Sequence, residues 1–236
     1  MVITSDTEVR QIALDAPTSI PLLEEFGIDY CCGGQQTLAE ACGKKNLQLA
    51  SVLAALEQNA SPAPPDNDWT TAPLHRLAEH IVTTHHGFTR QQLTLLHTLM
   101  EKVVHRHGAT HAEVPELSQA LAALAAELTH HFICEENILF PYIARLEQEG
   151  RATLPPMFGS VSQPIQKMML DHDRAGDELS HMRTLTNNYQ PPQDACTTYR
   201  ALYRALEDLE KDLHQHIHLE NNILFPRALA LSQARP

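Results

Sequence analysis

The chain has 236 residues, of which 43% are hydrophobic, and its 29 acidic and 17 basic residues give a formal net charge of -12. This length fits one large domain or a medium domain beside a small one, and the hydrophobic fraction is sufficient for a packed core. The negative charge argues against binding to nucleic acid or to an anionic membrane surface, because both require clustered lysine and arginine.

The residue counts also limit the possible fold classes and the cellular compartments in which we expect the protein. Glycine (9 residues) and aromatic side chains (5%) are scarce, which argues against an all-β fold. The sequence shows no apolar run long enough to span a bilayer and no signal peptide, so we expect a cytoplasmic protein. An odd number of cysteines, five, favours reduced thiols over a disulfide framework. Histidine is unusually frequent, with 15 residues, and it is a common metal ligand.

Residues 1–58 predict a small helical domain. Apolar spacing indicates two helix-like stretches, Thr7–Phe26 and Thr37–Glu57. In the second stretch we place Thr37 as the N-cap, with Glu40 three residues later, which is the pattern of a capping box.

The segment between these stretches reads GIDYCCGGQQ and predicts a turn that presents Cys31 and Cys32. Paired glycines cannot continue a stable helix, and adjacent cysteines rarely bond to each other. In a reducing compartment the two thiols can take up iron or enter thiol exchange. The alternative is a turn that buries two small hydrophobic side chains.

Residues 59–69 are rich in proline, aspartate and asparagine, and we predict a linker there. Residues 70–236 carry four long amphipathic patterns with apolar residues spaced by three and four, typical of an antiparallel four-helix bundle. In the second pattern the apolar stripe continues through Ile138 to Tyr142. The predicted fold class is therefore all-α, with a small helical domain before the bundle.

The bundle sequence contains an internal repeat. The heptapeptide EENILFP at Glu135–Pro141 recurs as ENNILFP at Glu220–Pro226. Each half supplies one lone histidine and one His-x-x-x-Glu pair at matching intervals, namely His86 with His131 and Glu135, then His172 with His216 and Glu220. We therefore interpret the bundle as two duplicated helical hairpins.

These six polar residues occupy stripe positions that leucine and isoleucine otherwise fill. Residues four apart share a helix face, and a buried carboxylate without a partner is very unfavourable. A pair of metal ions would compensate it, and four imidazoles with two carboxylates suit iron or manganese, with zinc as a further option. A single such histidine is more often a hydrogen-bonded core residue, but six in duplicated register favour a metal site.

Further polar residues lie near the predicted ligands. Four histidines adjoin them but fall off the stripe, so we expect solvated or supporting roles for His85, His130, His214 and His218. Glu127 and Asp171 are candidate outer-sphere or channel carboxylates that would relay protons. An equally supported interpretation is that both are ordinary acidic residues on the helix surface.

The chain resembles the RIC family of iron-sulfur cluster repair proteins (YtfE and ScdA type). The resemblance rests on DYCCGG at Asp29–Gly34, on the paired heptapeptides and on the order of these parts along the whole chain. It implies a hemerythrin-like bundle with two non-haem irons bridged by oxo and carboxylate groups. The ligands it implies are the same six, His86, His131, Glu135, His172, His216 and Glu220. It also implies cytoplasmic repair of clusters damaged by nitric oxide or oxidants.

Three functions remain open from the sequence. The first is supply of labile iron to damaged iron-sulfur proteins, with Cys31 and Cys32 assisting transfer. The second is an enzyme, a non-haem di-iron oxidoreductase acting on nitric oxide, with Glu127 or Asp171 relaying protons. The third is a sensor that binds O2 or NO reversibly, and a structural zinc site is a remote fourth. A homodimer is also left open.

Overall fold

The structure is a computed structural model that describes residues 2–59, 68–149 and 161–233. Within these ranges the chain is helical, and β pairing is limited to one bridge between Glu8 and Thr37. Each described helix is too short or too polar to cross a membrane. Most of the predicted linker, residues 59–69, lies outside the described residues.

The N-terminal part forms four short helices where the sequence predicted two longer stretches. They are α1 (Val9–Asp15), α2 (Ile20–Glu25), α3 (Leu38–Lys44) and α4 (Leu49–Asn59). Pro17 begins a single 3-10 turn between α1 and α2, and it lacks the backbone N–H that a continuing helix needs. Asn46, with a φ of 54°, turns the chain between α3 and α4. The predicted continuity was therefore wrong, while the helical type is confirmed.

The predicted capping box at the start of α3 is confirmed. The Thr37 hydroxyl accepts a hydrogen bond from the Glu40 backbone N–H at 3.2 Å, and the Glu40 carboxylate accepts one from the Thr37 backbone N–H at 2.9 Å. The four helices pack around a hydrophobic core of their own, which includes Val9, Ile12, Leu23, Leu38 and Leu56.

The described residues from 68 onwards form four long helices, and three of these contain a π-helical turn. Helix α5 comprises Leu74–His80, the π turn Ile81–His86 and Gly87–His107. Helix α6 comprises Glu113–Cys134, the π turn Glu135–Leu139 and Phe140–Glu149. The regular helix α7 is Ser162–Leu185, and α8 comprises Thr197–Leu219, the π turn Glu220–Leu224 and Phe225–Gln233. Helix α5 packs on α8, and α6 packs on α7. The predicted all-α bundle behind a small helical region is confirmed.

The π turn of α6 changes which residues face the core. A π turn inserts one extra residue into a helix and therefore rotates the following side chains. Ile138 is 39% exposed and Tyr142 is half-buried, whereas Leu139 and Ile143 are buried in their place. The predicted stripe was thus correct as far as Glu135 and wrong beyond it.

A polar layer divides the interior of the bundle into two hydrophobic cores. One core includes Leu96, Leu124, Leu179 and Leu209. The other includes Ile81, Ile143, Ile165 and Leu224. Every bundle helix contributes to both cores, and each carries histidine or glutamate where it passes between them.

Candidate metal centre

The polar layer consists of the six residues that the sequence singled out. All are buried, and Glu135 and Glu220 are 0% exposed. The layer draws on all four bundle helices: α5 carries His86, α6 carries His131 and Glu135, α7 carries His172, and α8 carries His216 and Glu220. Both glutamates open a π turn, and His86 closes one, so the irregular turns coincide with these positions.

The donor atoms form two groups that share both glutamates. One group is His86, Glu135, His216 and Glu220, and the other is His131, Glu135, His172 and Glu220; in each, the donor atoms lie within 4.8 Å of one another. Glu135 places Oε1 3.1 Å from His131 Nε2 and Oε2 3.4 Å from His86 Nε2. Each carboxylate therefore turns one oxygen towards each group.

Glu220 repeats this arrangement from the opposite hairpin. Its Oε1 lies 3.1 Å from His216 Nε2, and its Oε2 lies 3.0 Å from His172 Nε2. The two halves of the layer therefore show the same duplication as the two sequence motifs. A carboxylate with one oxygen on each group has the arrangement needed to bridge two cations.

The hydrogen bonding of this layer is incomplete in a way that fits bound cations. None of the four carboxylate oxygens of Glu135 and Glu220 receives a hydrogen bond of normal geometry from a described residue. The imidazole Nε2 atoms of His131 and His172 lie only 3.1 Å apart. Buried charges without partners are costly, and a set of imidazole and carboxylate donors fits iron, manganese or zinc.

The glutamates keep their charge in spite of burial. Burial alone would raise the pKa of Glu220, but the positive charge of His216 and the close approach of the His172 and His216 imidazoles, at 3.0 and 3.1 Å, hold it well below its ordinary value. Burial likewise opposes protonation of His131, but the charges of Glu135 and Glu220 raise its pKa to about 9. The layer therefore presents negative carboxylates at neutral pH, as a cation site requires.

Two outer partners of the histidines were missed by the sequence interpretation. Glu136 Oε1 lies 2.6 Å from His86 Nδ1, and Asn221 Oδ1 lies 2.9 Å from His172 Nδ1. Such bonds orient an imidazole and leave its Nε2 free for a metal ion. The signal was present in the sequence, because both residues occupy the second position of the repeated heptapeptide.

A cavity of about 130 Å³ leads from the surface to the polar layer. Three of the six residues line it, and so do the predicted Glu127 and Asp171. Glu127 is exposed at this cavity, whereas Asp171 is partly buried, with its Oδ2 3.8 Å from His131 Nδ1. Asp171 also pairs with Lys167 and Arg174 on its own helix, so a channel role and a helix-surface role both stay predictions.

Three of the four neighbouring histidines are less solvated than the sequence suggested. His130 is exposed, but His85 and His218 are buried and His214 is partly buried. His85 Nδ1 lies 3.0 Å from Asp212, His214 Nδ1 lies 2.8 Å from Glu24, and His218 Nδ1 lies 2.9 Å from Asn222. These contacts support the second half of the bundle and its contact with the N-terminal part.

The predicted cysteine turn lies between α2 and α3 and rests on the bundle. The Asp29 carboxylate shapes the turn by accepting backbone N–H bonds from Cys31 at 2.9 Å and Cys32 at 3.0 Å. Both thiols are free, with their sulfur atoms 3.8 Å apart. Cys32 Sγ lies 3.8 Å from the backbone carbonyl oxygen of His172, so the thiols lie beside one of the six residues.

Comparisons with known proteins agree with both parts of the chain. The family "Hemerythrin HHE cation binding domain" matches residues 77–228, and the family "Domain of Unknown function (DUF542)" matches residues 5–60. The chain is 40% identical to the iron-sulfur cluster repair protein YtfE of Musicola paradisiaca, over 95% of this chain and 96% of the relative. Proteins of the same name from Citrobacter koseri and Pectobacterium atrosepticum are 40% and 39% identical, each over 95% of this chain and 97% of the relative.

Proposed function

The chain belongs to the hemerythrin HHE cation binding domain family and to the iron-sulfur cluster repair proteins, and from this membership we propose its mode of action. It binds two ferrous ions in the polar layer and supplies labile iron to iron-sulfur clusters damaged by oxidative or nitrosative stress. Its partners are the damaged iron-sulfur proteins of the cytoplasm, and iron is the cargo.

The observation that supports this proposal is the sharing of Glu135 and Glu220 between two groups of histidines. With one oxygen on each side, each glutamate would contribute to the binding of both ions. His86 and His216 would hold one ion and His131 and His172 the other. Four protein donors leave coordination positions open, which suits exchange better than permanent structural binding.

The thiol turn offers a route by which iron leaves. Cys31 is buried, and its hydrogen bond with Cys32 and its burial raise the pKa of the Cys31 thiol. The thiol therefore stays protonated until a metal ion displaces the proton. Cys32 is partly exposed and lies against α7 at His172, so the pair stands between the polar layer and solvent.

The proposal is tested by repair of a damaged cluster with iron-loaded protein. Protein purified without oxygen should contain two irons per chain and restore activity to an iron-sulfur enzyme whose cluster has been degraded by nitric oxide. Cys31→Ser with Cys32→Ser should slow repair while iron content is unchanged. Cys196→Ser is the matched control, because Cys196 is an exposed residue at the distant N-cap of α8, where its sulfur contacts His107 Nε2 at 3.3 Å. Repair at the same rate by the double variant would contradict the thiol role, and repair without bound iron would contradict the proposal.

A second candidate is reduction of nitric oxide, and the cavity beside His131 favours it. Its volume of about 130 Å³ admits small diatomic molecules to the histidines. Bound iron would supply the electrons and the binding site, and Asp171 or Glu127 would hold protons at the cavity wall. Reduced protein should then produce nitrous oxide from nitric oxide, and Asp171→Asn should slow the reaction. Absence of nitrous oxide would leave iron supply as the function.

A further inference from the structure

The two halves of the polar layer differ in the residues that hold their lone histidines. His86 Nδ1 faces the Glu136 carboxylate at 2.6 Å, and Arg90 holds that carboxylate at 2.7 Å. His172 Nδ1 faces the neutral amide oxygen of Asn221 at 2.9 Å. A carboxylate partner raises the basicity of a metal-binding imidazole more than an amide does. Of the two lone histidines, His86 should therefore hold a cation more firmly than His172.

Asn221 has a second contact that its counterpart Glu136 cannot make. Its Nδ2 donates to the backbone carbonyl of Cys31 at 3.4 Å, and the adjacent Asn222 donates to the carbonyl of Tyr30 at 3.0 Å. A carboxylate has no donor, so only an amide can accept from His172 and also donate to the thiol turn. In the first motif the equivalent of Asn222 is Asn137, which donates within its own helix.

The two sides also differ in enclosure. His86 is 0% exposed, and the ring of Phe132 stacks on it with centroids 4.0 Å apart. Both histidines of the other side, His131 and His172, line the cavity that opens to the surface, whereas on the first side His216 lines it and His86 does not. A ligand exchanging at the second side therefore meets less apolar packing.

We propose that Asn221 is a positioning residue that couples the thiol turn to His172, and that the ion held by His131 and His172 leaves first. This inference rests on the proposed function, because it names the side of the centre from which iron is supplied. The duplicated motif has diverged at one position, from Glu136 to Asn221, so that one half retains its ion and the other half delivers it.

The first test follows iron release after ferrous-loaded protein is mixed with a ferrous chelator in the absence of oxygen. Wild-type protein should release iron in two phases of equal amplitude. Asn221→Asp keeps the side-chain shape and places a carboxylate on His172, so it should slow the fast phase by about ten-fold. Glu136→Gln weakens the partner of His86 and should speed the slow phase without changing the fast one.

The second test measures access to the thiols of the metal-free protein. Labelling of Cys31 and Cys32 by a maleimide, located by mass spectrometry, should be faster in Asn221→Asp because the bond to the Cys31 carbonyl is lost. Asn222→Asp is the matched control for the turn, since Asn222 does not contact His172. It should also speed labelling but should not slow the fast phase of iron release.

The outcomes separate this inference from the proposed function. The inference would be overturned if the two irons left in a single phase, or if Asn221→Asp changed neither iron release nor cysteine labelling. Either result would leave iron supply as the proposed function. Wild-type protein that binds no iron would overturn both. If Asn221→Asp does not fold, the Glu136→Gln variant provides the test. An unchanged slow phase of iron release in that variant would contradict the assignment of the two sides.

Discussion

Replacing Glu147 by alanine tests how α6 fixes the start of α5. The Glu147 carboxylate accepts hydrogen bonds from the backbone N–H groups of Leu74 at 2.7 Å and His75 at 3.1 Å, and it lies 2.8 Å from His75 Nδ1. The first N–H groups of a helix have no partner inside it. Burial would raise the pKa of the Glu147 carboxyl, but these contacts outweigh burial and hold it below its ordinary value.

The magnitude follows from the number of bonds lost. Loss of an N-terminal cap costs about 0.5–2 kcal/mol, and a hydrogen bond to a charged group contributes about 1.5–3 kcal/mol. The Glu147 side chain is 22% exposed, which favours the lower part of these ranges. We therefore expect Glu147→Ala to lower the free energy of unfolding by about 2 kcal/mol, and Glu147→Gln, which keeps an acceptor, by about 1 kcal/mol. Urea unfolding of the iron-free protein measures both.

The pH dependence of this effect has a definite sign. Because the folded-state pKa of Glu147 is lowered from 4.5, its contribution to stability is present above pH 4.5 and is lost as pH falls through the folded-state value. The difference between wild-type protein and Glu147→Ala should therefore be largest at neutral pH and should shrink in acid towards the difference between Glu147→Gln and Glu147→Ala. Equal stability at neutral pH, or a difference that is undiminished after Glu147 is protonated, would refute the reasoning.

Three further predictions concern stability. Phe132→Ala removes a buried ring that stacks on His86, and it should lower the free energy of unfolding by about 3–5 kcal/mol in urea titrations. Thr37→Ala should cost the N-terminal part about 1 kcal/mol, whereas Thr37→Ser, which keeps the capping hydroxyl, should not. The pKa of His131 is raised from 6.5 to about 9, so its contribution to the iron-free protein is present below pH 6.5 and is lost as pH rises through 9. Unfolding titrations of iron-free protein across this range should show that loss, and flat stability would contradict it.

The six residues of the polar layer were predictable because helical periodicity is a local property of the sequence. His131 and Glu135 share a face, and that face is apolar elsewhere, so their burial follows from the spacing alone. The duplication then identified His216 and Glu220 by the same argument. Their ligand role stays a prediction, since metal content decides it.

Contacts between helices were less accessible to sequence reasoning. The exposure of Ile138 depends on a π turn whose extra residue leaves no mark in the apolar spacing. Glu136 and Asn221 each contact a histidine on another helix, and a single sequence does not show which surface residues meet across helices. The position of Cys32 against His172 depends in the same way on how the N-terminal part packs on the bundle.

Stoichiometric titration of iron-free protein with ferrous iron, without oxygen, tests the shared-glutamate centre most directly. Wild-type protein should bind two ions per chain. His216→Ala should retain one tightly bound ion, whereas Glu220→Ala should weaken both, because the glutamate contributes an oxygen to each side. A wild-type stoichiometry of one, or a Glu220→Ala variant that loses a single ion and keeps the other at wild-type affinity, would contradict the account.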